Sequence, residues 1–278
     1  MTDAPISVTR AGHRTFFKWH RARRTVTDPV FTGRRIIEGM QAGASVEVDL
    51  VVTADDNFAV LHNFSLEEET TGTGLVRETS SAVLRDLNLR DNDGRPIADK
   101  VMLLDDLCAL MASAGVHPDA LLQLDFKEDD TALTPASLAN FARATAPFAR
   151  NFIVSSGNAR AVDMLTGMVP GMLAGFDPSD EDVFRAALAA GGLDGFVTDA
   201  VAASPKAEMI YLAWQIVTLS ADAGYDIVAA FHSHGRRVDA WTIKAADADT
   251  VPVVERLLGL KVDQITTDDP EGMAALIG

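Results

Sequence analysis

The chain alternates between short, β-branched apolar runs and longer stretches in which apolar residues return every three or four positions. Strand-like runs fall at 6–12, 44–50, 121–126, 152–155, 172–175, 209–213, 238–243 and 263–266. Helical spacing fills most of the intervals, at 33–42, 104–114, 134–146, 159–167, 181–190, 223–234 and 249–258. A compact apolar run bounded by turn residues reads as a buried strand, and three-to-four spacing reads as an amphipathic helix. Strands separated by helices pair in parallel, because a parallel crossover needs a dozen or more residues. Eight such units in 278 residues predict an α/β fold, a closed (β/α)8 TIM barrel. An open doubly wound sheet is the alternative, but no Gly-x-Gly-x-x-Gly follows the first strand.

One interval breaks the rhythm. From 50 to about 100 no long helical pattern occurs, but two β-rich runs joined by Ala54-Asp55-Asp56-Asn57 read as a hairpin. Such a hairpin folds His62 back toward the end of the strand that carries Glu47 and Asp49. The expectation is one TIM-barrel domain over 1–278 with a small insertion at about 50–100 riding on the catalytic face. The insertion's polar parts, 70–74 and 91–94, read as loop.

Composition narrows the partners. Forty acidic residues against twenty-four basic ones give a formal charge of −16, which repels nucleic acid and anionic membranes. Apolar residues make up 47%, enough for a large core. The single cysteine, Cys108, rules out an internal disulfide, fits a reducing compartment and lies on an apolar helix face. Residues 1–5 carry no signal-like pattern. The most apolar window, 209–219, is far shorter than the roughly 20 residues of a membrane helix. A soluble, cytoplasmic protein with a small-molecule substrate, no nucleic-acid partner and no integral membrane segment is expected. A homo-oligomer is compatible with the sequence.

The candidate chemistry sits where strands end, since active sites of this barrel lie at the C-terminal ends of the strands. Glu47 and Asp49, at i and i+2, face the same way and repel each other unless a cation lies between them or one is protonated. Asp125 interrupts the otherwise apolar run 121–126, and a buried carboxylate there is expensive unless paired or on a metal. Three hard oxygen donors favour one divalent cation, Mg²⁺ or Ca²⁺, over zinc. His13 and His62 both close strands expected to converge on these acids, and two imidazoles beside such a site suit general acid/base work on a phosphoryl group. The competing readings are an exposed charged strand edge for Glu47 and Asp49, an ion pair with Lys127 for Asp125, and structural roles for each histidine.

Between Arg10 and Arg35 lie many basic residues and one acid, Asp28, a local charge reversal that would attract a phosphodiester. Arg14, next to His13, is the member singled out. His20 and His117 read as surface loop residues, and His232-Ser233-His234 as a helix end. Trp241 reads either as packing or as an apolar wall against the carbon skeleton of a ligand.

The motifs Gly12-His13-Arg14, Glu47-Val48-Asp49, Thr53-x-Asp55, Val60-Leu61-His62, Thr70-Thr71-Gly72-Thr73-Gly74, Leu124-Asp125-Phe126-Lys127, Trp241-Thr242-Ile243 and Thr266-Thr267-Asp268-Asp269-Pro270 occur in this order along nearly the whole chain. Together they resemble the glycerophosphodiester phosphodiesterase family. The resemblance implies a metal-dependent barrel of lipid metabolism that hydrolyses a glycerophosphodiester to glycerol 3-phosphate and an alcohol. By position it implies His13 and His62 as the general acid/base pair and Glu47, Asp49 and Asp125 as metal ligands. It also implies Arg14 and Lys127 as phosphate contacts, with Trp241 in the glycerol pocket. The sequence departs from the family pattern in four places. Thr15 stands for the glycine after His-Arg, no Pro-Glu-Asn follows, Asn63 replaces an aspartate, and Asp125 replaces a glutamate. The alternatives are a phosphodiester-binding barrel without turnover or with altered specificity, and a metal-dependent lyase or aldolase barrel using Lys244.

Overall fold

The computed structural model describes residues 6–278, so the reading of 1–5 falls outside the described residues. Its strands are β1 Ser7–Arg10, β2 His13–Trp19, β3 Ser45–Val52, β4 Phe58–Ala59, β5 Asn88–Arg90, β6 Pro96–Lys100, β7 Leu121–Phe126, β8 Phe152–Ser155, β9 Leu173–Phe176, β10 Ala207–Ala213, β11 Arg237–Ile243 and β12 Gln264–Thr267. Its α-helices are α1 Gly33–Ala42, α2 Ser81–Asp86, α3 Leu104–Ala114, α4 Pro135–Thr145, α5 Ala159–Gly167, α6 Glu181–Ala189, α7 Leu193–Ala203, α8 Trp214–Asp222, α9 Ile227–Ser233, α10 Val251–Gly259 and α11 Pro270–Ile277. Eight strands, β2, β3 and β7 through β12, pair in parallel, and β2 closes the ring by pairing with both β12 and β3. The predicted TIM barrel is therefore the fold.

The first strand is where the sequence reading fails. The run at 6–12 is not a barrel strand. β1 ends at Arg10, the chain reverses through Ala11 and Gly12 at φ +47° and +78°, and β2 returns antiparallel with Arg10 opposite His13. A two-residue reversal with both residues at positive φ is the tight hairpin that Asn-Gly or Asp-Gly usually announces. Alanine in the first position hides that signal. The barrel strand is therefore β2, and His13 opens it instead of closing its predecessor.

The helix pattern transfers more directly. α1, α3 and α5 have the predicted bounds. α4 starts one residue late because Thr134 caps it, accepting from the backbone N–H of Ala136 and Ser137, with Pro135 in the first helical position. The helix expected at 223–234 is α9, and it starts four residues late. α8 stops at Asp222, Gly224 takes φ +79°, and Asp226 caps α9 by accepting from Ala229 N at 2.9 Å. α7, α8 and α11 were not anticipated. α1 lies close on the barrel wall: a Cβ at Gly39 would come within 2.5 Å of Val46, so that glycine sets the helix–strand approach.

Between β3 and α3, β4 folds back antiparallel on the end of β3, with Val51 opposite Ala59 and Val52 opposite Phe58. α2 and the β5–β6 hairpin complete this excursion. Among the described residues no helix is long and apolar enough to cross a membrane.

Candidate active site

Register decides which side chains meet. β3 and β7 pair with Glu47 opposite Gln123 and Asp49 opposite Asp125. Glu47, Asp49 and Asp125 each offer an oxygen within 4.8 Å of the others, so the two strands put three carboxylates in one place. Glu47 and Asp49 are buried, and Asp125 faces the cavity. Burial, reinforced by the charges of Asp49 and Asp125, pushes the Glu47 carboxyl well above its ordinary range. Glu47 Oε2 accepts from Arg21 N at 2.7 Å, whereas Asp49 Oδ2 is buried without a hydrogen-bond partner. Lys127 Nζ lies 3.4 Å from Asp49 and 3.1 Å from Asp125. Burial opposes its charge, but Asp125 and Asp49 outweigh burial and raise the ammonium above its usual value. Three packed carboxylates, one of whose buried oxygens makes no hydrogen bond and has only the Arg21 guanidinium 3.4 Å away, are the donor set a hard divalent cation completes, so these residues fit the metal.

The hairpin brings His62 back as expected. His62, Glu47, Asp49, Asp125, Lys127 and Trp241 all line one cavity of about 330 Å³ at the C-terminal ends of the strands. His62 Nδ1 lies 2.9 Å from Asn63 Oδ1, and Glu69 Oε2 accepts from the backbone N–H of His62 and Asn63 at 3.0 Å each. Trp241 lines the wall with a buried, unpartnered indole nitrogen.

Two predicted residues are at the wrong end of the barrel. His13 begins β2, and its Nε2 lies 3.1 Å from Val262 O and 3.9 Å from Asp263, beside His232. Arg14 donates to Ser7 Oγ at 2.9 Å and covers the Phe16 ring. Neither lines the cavity. The reason is the hairpin turn at Ala11-Gly12, which sends the chain through the whole barrel strand after His13.

What stands in the cavity instead is a second His-Arg pair, His20-Arg21, read from sequence as loop. It follows β2 directly, in a single 3-10 turn. His20 Nδ1 lies 2.6 Å from Asp268 Oδ1, in the Thr267-Asp268-Asp269 segment after β12. Burial lowers the His20 pKa below 6.5 although Asp268 works in the opposite direction. For Asp268 burial works upward, but the hydrogen bond from His20 and the charges of His20, Arg23 and Arg21 hold it below the ordinary carboxylate value. Arg21 Nε lies 3.4 Å from Asp49, and its Nη1 lies 3.8 Å from Glu69. Ala22 follows at φ +59°, a backbone conformation that favours glycine. His20-Arg21-Ala22 thus resembles the His-Arg-Gly pattern with which residues 13–15 were compared, with alanine in the glycine position. The signal was available: Phe16-Phe17-Lys18-Trp19 is a better buried strand than 6–12, and His20 ends it.

The other arginines of the basic segment are spoken for. Arg35 pairs with Asp28 and Glu38, Arg24 with Glu38 and Glu271, and Arg23 with Asp268. Sequence reading also missed Glu69, Lys18 and Gln123. Asp177, which follows β9, lines the cavity with its pKa raised to about 7 by burial. Cys108 is buried in α3, and burial pushes its thiol up to about 12.

A buried carboxylate cluster flanked by two histidines, an arginine and a lysine, at the C-terminal mouth of a TIM barrel, defines a phosphoryl-transfer class of site. The sequence profile of the glycerophosphoryl diester phosphodiesterase family matches residues 35–272, and the chain belongs to that family of phosphoric diester hydrolases. Among curated proteins, none matches it in sequence. The fold is similar to that of an Agrobacterium tumefaciens strain C58 protein described as a glycerophosphoryl diester phosphodiesterase, at 20% identity, 95% and 97% coverage of the two chains and a TM-score of 0.68. It is also similar to the glycerophosphodiester phosphodiesterase of Thermotoga maritima, at 19% identity, 95% and 99% coverage and a TM-score of 0.65. A phosphodiesterase of Oleispira antarctica, solved with the product sn-glycerol-3-phosphate, matches at 17% identity, 94% and 96% coverage and a TM-score of 0.65.

Proposed function

We propose that this protein hydrolyses a glycerophosphodiester, or a closely related phosphodiester, to glycerol 3-phosphate and an alcohol. The observation that carries the reading is the convergence of Glu47, Asp49 and Asp125 with His20 and His62 in one cavity of a chain of this family. The three carboxylates would hold one Mg²⁺ or Ca²⁺, which when bound supplies a positive charge that draws electron density from phosphorus. Arg21 and Lys127 would neutralise the remaining phosphate charge, taking the part first given to Arg14. The hydrogen bond to Asp268 orients the His20 imidazole, and burial keeps it neutral, so His20 suits the base. It takes a proton from the attacking hydroxyl, of water or of the substrate itself, as the new O–P bond forms. His62 delivers a proton to the leaving alkoxide as the old O–P bond breaks, which leaves a neutral alcohol and an anionic phosphate ester, and the proton gained by His20 balances the one lost by His62. Trp241 would pack against the glycerol carbons. A second lobe of about 670 Å³, lined by Phe64, Leu75, Arg77 and Phe126, shares Asp125, Lys127 and Asp177 with the first and gives the leaving group room. One barrel domain acting on a small substrate in a reducing cytoplasm fits the lone, buried Cys108.

The test is incubation of the purified protein with glycerophosphocholine and with bis-p-nitrophenyl phosphate, in Mg²⁺, in Ca²⁺ and in chelator. Release of glycerol 3-phosphate or p-nitrophenol that the chelator abolishes is expected. Saturable substrate binding without product in either metal would replace the reading with that of a phosphodiester-binding barrel.

A further inference from the structure

Lys18 is a fully buried ammonium in the centre of the barrel, at the floor of the cavity, and the reaction above gives it no part. Its Nζ lies 2.9 Å from Asp239 of β11 and 4.4 Å from the centre of the Tyr211 ring. Thr266 donates to Asp239 Oδ1 at 2.6 Å. A buried ion pair contributes little net stability compared with apolar residues of the same size, so its place in this core calls for another explanation. Lys18 also donates to Gln123 Oε1. Gln123 Nε2 donates to Ser155 Oγ at 2.8 Å, and Ser155 Oγ donates to Asp125 Oδ1 at 2.5 Å.

Every link in this chain has one polarity. An ammonium has only donors, so the Gln123 carbonyl must face it and the Gln123 NH₂ must face Ser155. Ser155 accepts there, so its single hydrogen is left for Asp125. Asp125 can then only accept. We infer that Lys18, Gln123 and Ser155 form a directional relay of positioning residues that fixes Asp125 as an oriented carboxylate acceptor for a divalent cation. The inference rests on the proposed metal site. The relay crosses the barrel from β11 through β2 and β7 to β8 and returns to β7, so it also ties Asp125 to the buried Lys18–Asp239 pair. Partners that orient metal ligands typically contribute 10- to 100-fold to metal affinity.

The experiment is calorimetric Mg²⁺ and Ca²⁺ binding to the intact protein, with thermal melting of each metal-free variant as the control for folding. Ser155→Ala removes the last donor without changing charge and is expected to weaken binding by about tenfold or more, with a metal-free Tm near that of wild type. Ser155→Thr keeps the hydroxyl and should restore the affinity. The double variant Lys18→Met/Asp239→Leu replaces the pair without leaving a lone buried charge and should weaken binding as well. Ser155→Ala binding within twofold of wild type, or Ser155→Thr failing to restore it, would overturn the relay while leaving the metal site standing. A wild-type protein that binds neither cation would overturn the metal site, and the relay with it.

Discussion

The two ends of β2 carry nearly the same residues and do opposite things. At the N-terminal end, His13-Arg14 lies beside Asp263 and His232. At the C-terminal end, His20-Arg21 lies beside Asp268 and Asp49. Six strand residues, Arg14–Trp19, lie between the two histidines, which puts them roughly 23 Å apart at about 3.3 Å per residue. At the lower end the polar groups are satisfied locally: Asp263 Oδ2 lies 2.9 Å from His232 Nε2 and accepts from Val238 N at 2.8 Å, and His13 meets the Val262 carbonyl. At the upper end like charges are pressed together and an Asp49 oxygen is left without a hydrogen bond. Composition does not separate the two ends. Frustrated electrostatics does, because crowded buried carboxylates are costly and such perturbed groups cluster at functional sites.

The largest expected contrast comes from the carboxylates. Asp49→Asn should lower metal-dependent turnover by about 10²–10³-fold, the range of a lost charge-stabilising group, whereas Asp263→Asn should leave kcat within about twofold. Steady-state kinetics with a chromogenic phosphodiester measures both. Equal losses would dissolve the distinction between the ends.

Stability gives the next contrast. In the metal-free protein the Glu47 carboxyl sits above its ordinary 4.5, so the native state holds a proton that the unfolded chain has shed. The metal-free protein must therefore lose stability as pH rises from the ordinary to the raised value. At neutral pH a cation at about 100 times its Kd should contribute about 2.7 kcal/mol, a rise of about 5–10 °C in Tm for a chain of this size. Glu47→Gln should abolish that rise without lowering the metal-free Tm. A cation-induced rise that survives Glu47→Gln would contradict the site.

The pH profile sharpens the role of His20. As a base it must be neutral, and its pKa is lowered from 6.5, so kcat/KM should hold down to about pH 6.5 and fall below it. Since Asp268 acts to raise that pKa, Asp268→Asn should move the acid limb lower still while reducing kcat. An acid limb centred above pH 7 would contradict the assignment. The smallest effect belongs to Ala22→Gly. Relief of a strained φ, about 1–2 kcal/mol, is largely offset by lost burial and greater chain freedom, so chemical denaturation should shift by about 1 kcal/mol or less with activity intact.

Much of this was legible in the chain. The β/α rhythm gave the barrel, and i, i+2 alternation gave Glu47 with Asp49. The polar break in 121–126 gave Asp125, and the hairpin after β3 gave His62. What misled was local. Ala11-Gly12 makes a turn usually written with asparagine or aspartate, so β1 looked like the barrel strand and the first His-Arg pair took the place of the second. Ala22 in a glycine position removed the cue that would have marked His20-Arg21. The Lys18–Gln123–Ser155 relay was invisible because it depends on inter-strand register across β2, β7, β8 and β11, which periodicity does not encode. Lysine inside a strand is ordinarily read as an exposed edge.

The most direct test is a side-by-side measurement of kcat/KM for His20→Ala and His13→Ala with the same phosphodiester and saturating divalent cation. A loss of about 10²–10⁴-fold in His20→Ala, with His13→Ala within about twofold of wild type, is predicted. A steep loss in His13→Ala with His20→Ala near full activity would contradict the placement of the site at the C-terminal end of β2.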